Sequence, residues 1–172
     1  MSAHTEHWNC PWWRVVEREG LGGHPYFSVE RTTPETVHVV AITEDDQIVF
    51  VHQYRVPFEG YVWELPAGLA DIKGETLTDV ATRELTEETG YVGDSPIQLF
   101  RGTISPGLSD EMYTLFLVDH AHQVTAGGGD SSEAMTVHLI PRISVRAWLM
   151  ERAEAGDLID IKIATALWLL EK

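Results

Sequence analysis

Three glutamates on one predicted helix could bind a cation. Glu84, Glu87 and Glu88 lie three and four residues apart within the segment 75–91, and this spacing puts them on one helical face. Each like-charged pair costs an isolated helix roughly 0.2–0.5 kcal/mol, and Arg83 offsets only part of that by pairing with Glu87. The pattern predicts either a solvated acidic face or a site for a hard divalent ion such as Mg²⁺, which takes oxygen ligands.

The elements around this segment give the helix a buried side and a preceding loop. An apolar run from Tyr61 to Leu65 and a turn-rich stretch from Pro66 to Gly74 come first, and Gly90 stands where the helix would end. Apolar residues recur at the helical period and predict a core-facing side: Leu77, Val80, Ala81 and Leu85. We therefore expect the three carboxylates to face outward.

The same stretch resembles the Nudix box, Gly-x5-Glu-x7-Arg-Glu-U-x-Glu-Glu-x-Gly-U, where U is apolar. The matching positions are Glu75, Arg83, Glu84, Leu85, Glu87, Glu88, Gly90 and Tyr91. The opening glycine of the pattern should stand where this chain has Leu69, and Gly68 lies one position earlier. We interpret this as a one-residue insertion that lengthens the loop and keeps the site.

The resemblance implies a fold and a set of roles. The fold would be α+β, a Nudix-type α/β/α sandwich with mixed central sheets, preceded by an N-terminal β-hairpin. Mg²⁺, or Mn²⁺, would be held by Glu84, Glu87, Glu88 and the backbone carbonyl of Ala67. Glu84 and Glu88 would be the main ligands and carry the catalysis, while Glu87 assists. Glu75 and Arg83 would form an ion pair that braces the loop against the helix.

Two further residues suggest the ADP-ribose pyrophosphatase subgroup. Arg55 ends a predicted strand, and a similar arginine in that subgroup touches the diphosphate, for which its forked donors are suited. Pro106 resembles the proline that follows the box in the same subgroup. The alternatives are a plain surface arginine and an ordinary turn. The resemblance implies hydrolysis of ADP-ribose, or a close nucleoside diphosphate sugar, to AMP and a sugar phosphate.

The N-terminal residues 1–36 are predicted to be a tail and a β-hairpin, followed by the hydrolase domain at 37–172. The hairpin is rich in aromatic residues, and in the subgroup such a hairpin forms a homodimer and sandwiches the adenine. Trp13 and Tyr26 are the best matches for that role, although aromatic residues more often pack in a core or interface. We predict a homodimer with residues 1–36 as the dimerisation and substrate arm.

The subgroup takes its catalytic base from a loop before a late strand. Glu133 follows the glycine-rich stretch 126–132 in that position, and Asp130 is its nearest rival. A glycine-rich lid that delivers a base on closure is physically sensible. An exposed loop carboxylate without a role is the alternative.

Composition limits the class of protein. The 172 residues carry a formal charge of −15, which argues against nucleic-acid binding, and no apolar run reaches the roughly 20 residues that span a bilayer. The N-terminus lacks a signal pattern and Cys10 is the single cysteine, so we expect a cytoplasmic protein. His4, His7 and Cys10 could hold a transition metal, but a disordered tail to about residue 10 is the favoured interpretation.

The sequence is also compatible with other functions. Within enzymes, the substrate could be another nucleoside diphosphate compound such as GDP-mannose or NADH. From another class, the chain could be a non-catalytic sensor that binds ADP-ribose, or a structural domain with an acidic helix.

Hydrophobic periodicity and turn residues predict the secondary structure of the chain. The predicted strands are 12–18, 26–31, 37–42, 48–54, 61–65, 97–104, 112–118 and 134–140, and the predicted helices are 75–90, 144–154 and 161–170.

Overall fold

The N-terminal residues form a three-stranded antiparallel sheet. The computed structural model describes residues 4–33, 35–129 and 134–171. The strands pair in the order β1 (Thr5–Asn9), β2 (Trp13–Glu19) and β3 (Pro25–Arg31). The predicted hairpin is present as β2 and β3, whereas the prediction of a disordered tail to about residue 10 was wrong, because Thr5–Asn9 pairs with β2. Every side chain of β1 is exposed, so no hydrophobic alternation signals the strand and backbone hydrogen bonds hold it.

Two of the three residues considered for a transition-metal site, His7 and Cys10, lie in or directly after β1. His7 Nε2 lies 2.7 Å from Glu17 Oε2, and the Cys10 amide donates to the Trp13 carbonyl at 2.9 Å. Among the residues that the structure describes, no group of three His, Cys, Asp or Glu side chains could hold a metal.

A nine-stranded mixed sheet forms the centre of the molecule. Its strands are β4 (Glu35–Thr43), β5 (Gln47–Arg55), β6 (Gly60–Glu64), β7 (Ala67–Leu69), β8 (Tyr91–Val92), β9 (Ile97–Thr103), β10 (Met112–Gln123), β11 (Met135–Pro141) and β12 (Leu158–Ile159). The main path runs β12-β6-β5-β4-β10-β8, with β11 on β5, β7 on β4 and β9 on β10. The pairs β4–β10 and β6–β12 are parallel and the others antiparallel.

Helices cover both faces of this sheet. They are α1 (Leu77–Thr89), α2 (Val145–Glu154) and α3 (Ile161–Leu169). One core cluster joins α1 to the sheet through Val39, Val49, Val80, Leu85 and Phe116. A second joins α2 and α3 to the opposite face through Ile48, Phe50, Trp63, Val145 and Ile163. The predicted α+β class and the α/β/α sandwich are confirmed.

Helix α1 has a defined beginning and end. Thr76 caps it in a reciprocal capping box with Asp79, and Gly90 ends it in the left-handed region at φ 76°. The predicted segment 75–90 matches it closely because these local signals agree. The strands β7, β8 and β12 were not predicted, since two or three residues show no periodicity. Within the described ranges, no helix is long and apolar enough to cross a membrane.

Candidate active site

Strand β7 crosses the acidic flank of α1 at Gly68. A Cβ built on Gly68 would lie 2.0 Å from the carboxyl carbon of Glu84, far closer than two atoms can approach. Any other residue would displace that carboxylate, so glycine allows the β7 backbone to lie directly against it. The inferred extra residue between Gly68 and Glu75 therefore lies in the loop after β7 and does not separate Gly68 from Glu84.

Glu88 is buried beneath the start of β7. The residue is 5% exposed, and its Oε2 accepts a 2.9 Å hydrogen bond from the amide of Ala67. The prediction that all three carboxylates face outward was wrong for Glu88, whereas the side chain of Glu87 is 59% exposed. Glu88 follows Leu85 by three residues and so borders the core-facing stripe, over which β7 packs.

Arg83 links the loop to the acidic face. Its guanidinium contacts three carboxylates and one carbonyl: Glu84 at 2.7 Å, Glu75 and Glu87 at 3.2 Å each, and the Leu69 oxygen at 3.3 Å. The predicted contact between Glu75 and Arg83 is present. The contact with Glu84 was not predicted, because adjacent helical residues do not normally face each other. Burial lowers the pKa of Arg83, but the carboxylates, Glu84 foremost, raise it above its ordinary value.

The donors around Glu84 fit a hard divalent ion by type. They are carboxylate oxygens, and one guanidinium faces three carboxylates, which leaves the cluster with net negative charge. In the described part of the chain, no three His, Cys, Asp or Glu side chains converge as a metal site. Instead, a guanidinium holds Glu84 and a backbone amide holds Glu88. A divalent ion would share or replace these contacts.

Arg55 is held by a buried glutamate at the end of the neighbouring strand. Its Nε lies 2.7 Å from Oε1 of Glu64 and its Nη2 lies 2.5 Å from Oε2. The Glu64 side chain is 8% exposed and that of Arg55 is 40% exposed. Sequence reasoning gave Glu64 no role, although a glutamate at the end of an apolar strand is rarely buried unless it is paired. Glu64 fixes the plane of the guanidinium.

Trp13 and Tyr26 lie on opposite faces of the N-terminal sheet. Tyr26 stands directly across from Arg18, and Arg18 is an odd number of residues from Trp13 along β2, so their side chains point to opposite sides. Trp13 packs edge-on against Trp8 at 5.7 Å, and the Tyr26 hydroxyl donates to the Gly107 carbonyl. The two rings of one chain therefore cannot sandwich the same base.

Pro106 lies in the turn between β9 and β10. The amides of Leu108 and Ser109 each donate to the Ser105 carbonyl at 2.9 Å and close that turn. Pro106 itself is exposed. Its contact with a substrate stays a prediction.

The glycine-rich stretch closes the end of α1. Gly128 donates to the Glu88 carbonyl at 2.6 Å and Gly129 to the Glu87 carbonyl at 3.1 Å, which satisfies helix-end acceptors. A Cβ on Gly127 would lie 2.2 Å from the backbone of Thr89, so this packing requires glycine. Residues 126–129, predicted to be flexible, are thus anchored. The proposed bases, Glu133 and Asp130, lie outside the described residues.

Comparison with known proteins gives relatives for both sequence and fold. Residues 32–156 match the NUDIX domain family. A Bacillus methanolicus protein named methanol dehydrogenase activator is 41% identical over 101 residues, 58% of this chain and 54% of that protein. A Bacillus subtilis (strain 168) protein named ADP-ribose pyrophosphatase is 40% identical over 86 residues, 50% of this chain and 46% of that protein. The chain spans about half the length of these curated relatives.

A solved structure, described as a crystal structure of ADP compounds hydrolase, has the same fold. It superposes with a TM-score of 0.73 at 21% sequence identity and covers 99% of this chain and 94% of that chain. The family match extends over most of the chain and includes β7, α1 and the carboxylates that Arg83 and Ala67 hold. The chain therefore belongs to the NUDIX domain family.

Proposed function

We propose that this chain hydrolyses the pyrophosphate bond of ADP-ribose, or of a close nucleoside diphosphate sugar, to AMP and a sugar phosphate. The observation that carries the proposal is the carboxylate of Glu84 lying against the backbone of Gly68, beside the buried Glu88. Family membership and a relative named ADP-ribose pyrophosphatase support the reaction and the substrate.

The proposed cofactor is Mg²⁺, with Mn²⁺ as the alternative. Glu84 and Glu88 are the main ligands in this proposal, Glu87 assists, and the Ala67 carbonyl completes the donor set. When bound, the metal neutralises phosphate charge and activates a water molecule. Arg83 partly balances the charge of these carboxylates and joins Glu84 to the loop through Glu75.

Arg55 is the proposed diphosphate contact. Glu64 holds its guanidinium at two nitrogens, which restricts the side chain before substrate arrives. A restricted arginine loses less conformational entropy on binding a phosphate than a free one. The Arg55 side chain is 40% exposed, so it is not sealed in the interior of the protein.

The adenine site is proposed to form between two protomers. Because Trp13 and Tyr26 lie on opposite faces of one sheet, an aromatic sandwich that uses both needs two chains. This supports a homodimer in which residues 1–36 act as the arm and residues 37–172 as the hydrolase domain. Sizing with light scattering tests it: a monomeric mass at working concentration contradicts the two-chain adenine site.

The proposed base is Glu133, with Asp130 as the alternative, and Pro106 is proposed to line the substrate site. The glycine-rich stretch that precedes both candidates is attached to the end of α1, because the Gly128 amide donates to the Glu88 carbonyl. Separate Glu133→Gln and Asp130→Asn variants distinguish the two candidates by the loss of turnover.

We further propose the cytoplasm as the compartment. Cys10 is the single cysteine, so the chain forms no internal disulfide that would need an oxidising environment.

A substrate panel tests the proposed function. ADP-ribose, GDP-mannose and NADH are incubated with the protein and Mg²⁺, and the release of nucleoside monophosphate is measured. Preferential release of AMP from ADP-ribose supports the proposal. Preference for GDP-mannose or NADH would favour another hydrolase of the family. Tight Mg²⁺-dependent binding of ADP-ribose without turnover would favour a sensor, and no binding would favour a structural domain.

A further inference from the structure

The outer edge of β3 binds residues 105–111 of the same chain, which we name the clasped loop. The Val29 amide donates to the Leu108 carbonyl at 2.8 Å, and the Asp110 amide donates to the Val29 carbonyl at 3.3 Å. Val29 and Ser109 form an isolated parallel bridge at this point. The N-terminal sheet is therefore joined to the loop through its backbone.

Side chains at both ends of β3 add to this clasp. The Tyr26 hydroxyl donates to the Gly107 carbonyl at 2.6 Å. At the other end, the Arg31 amide donates to the Asp110 carboxylate at 3.1 Å, and the Arg31 guanidinium lies 3.3 Å from Glu111. The hydrogen bond of Tyr26 can be removed by a minimal substitution, because phenylalanine keeps the ring and lacks only the hydroxyl.

The clasped loop lies at the same end of the central sheet as β7. Met112, which follows the loop, pairs with Glu35 at the start of β4. The Glu35 carbonyl accepts a hydrogen bond from the Ala70 amide at 3.2 Å, directly after β7. The Leu69 carbonyl in turn accepts from Arg83. Paired backbone segments thus connect the clasped loop to the loop that meets the acidic face of α1.

We propose that Tyr26 is a positioning residue for substrate binding, acting through its hydroxyl on the clasped loop of its own chain. The N-terminal sheet then has a second role besides dimerisation, because it holds the loop that carries Pro106. This inference rests on the proposed function, since it assumes that the clasped loop contacts the nucleoside diphosphate sugar. The role of the hydroxyl is separate from any stacking by the Tyr26 ring.

The Tyr26→Phe variant tests this role in the full-length protein. Losing one hydrogen bond to the loop should raise the KM for ADP-ribose by about three- to tenfold and leave kcat within about twofold. Hydrogen exchange of the peptide that contains residues 105–111 should become faster. Tyr61→Phe is the matched control, because Tyr61 is 47% exposed and Tyr26 is 48% exposed, and Tyr61 contacts His52 and Tyr54 on the central sheet.

A second variant tests the loop side of the clasp. Asp110→Ala removes the acceptor of the Arg31 amide and should also speed exchange in residues 105–111 and raise KM. Unchanged exchange in Tyr26→Phe overturns the tether, and faster exchange with an unchanged KM overturns the positioning role. A fall in kcat with an unchanged KM overturns it as well. If the unaltered protein does not hydrolyse ADP-ribose, the proposed function fails, while the exchange measurement still decides the tether.

Discussion

The backbone of Gly68 and the carboxylate of Glu84 are in direct contact across the boundary between β7 and α1. A Cβ at position 68 would lie 2.0 Å from that carboxyl carbon. The contact brings a strand of the sheet against the face of the helix that carries the acidic residues. It places the β7 backbone and a charged side chain at one point, where the proposed divalent ion and diphosphate would meet.

The Gly68→Ala variant should lose both stability and activity. The added methyl group must displace the Glu84 carboxylate or the β7 backbone, which costs about 1–3 kcal/mol in the free energy of unfolding. Chemical denaturation and the kcat/KM for ADP-ribose measure the two effects. Gly60→Ala is the control, because its Cβ would come no closer than 3.5 Å to a neighbouring atom. Equal behaviour of the two variants would contradict the contact.

The Arg83→Gln variant should expose repulsion among the carboxylates that Arg83 holds. The variant removes the cation that Glu75, Glu84 and Glu87 share. The free energy of unfolding should therefore fall by about 1–3 kcal/mol. Added Mg²⁺ should raise the Tm of this variant more than that of the unaltered protein. Arg142→Gln, which removes an exposed pair, should change Tm little. A Tm response to Mg²⁺ that does not depend on Arg83 would count against a metal site at these carboxylates.

The Arg55→Lys variant should weaken substrate binding with little change in fold. Lysine lacks the forked donors that Glu64 orients, so the KM for ADP-ribose should rise about tenfold, equal to about 1.4 kcal/mol. Glu64→Gln should raise KM in the same direction, because it loosens the guanidinium. Steady-state kinetics measure both, with Glu154→Gln as an exposed control. An unchanged KM in both variants would remove Arg55 from the substrate site.

Glu35 should make the stability of the protein depend on acid pH. Its hydrogen bond with Arg101 lowers the pKa of Glu35 below the ordinary 4.5, and Thr114 also donates to it. A lowered folded pKa contributes stability that is fully present above pH 4.5 and is lost as pH falls through the folded pKa. Glu35→Gln should therefore cost up to about 1 kcal/mol at pH 7, since the pair is partly exposed, and less at pH 3. A cost that stays constant with pH would contradict the ion pair.

Local signals explain why α1 was predictable. The capping residue Thr76, the terminal Gly90 and the spacing of the apolar residues all lie within one segment of sequence. The box pattern also identified the contact of Glu75 with Arg83, although the two residues meet only through the fold of the loop. The bounds of α1 therefore follow from short-range signals, whereas the ion pair was predicted from the family resemblance.

The features that were missed depend on packing between distant segments. Glu88 is buried because β7 lies over it, and no property of the helix sequence announces that strand. Likewise, residue type alone does not show that Trp13 and Tyr26 lie on opposite faces, because that follows from the register of β2 and β3. The strand β1 was missed because its side chains are all exposed, so its sequence carries no hydrophobic alternation. Long-range register and burial therefore limit what one sequence can tell.

The most direct test of the central claim compares Glu84→Gln with the unaltered protein in the release of AMP from ADP-ribose with Mg²⁺. The substitution keeps the size of the side chain and removes the charge that the proposed metal needs, so kcat should fall by at least about a hundredfold while Tm changes little. Glu44→Gln, at an exposed position outside the acidic face, should keep full activity. Near-normal turnover in Glu84→Gln would contradict the account.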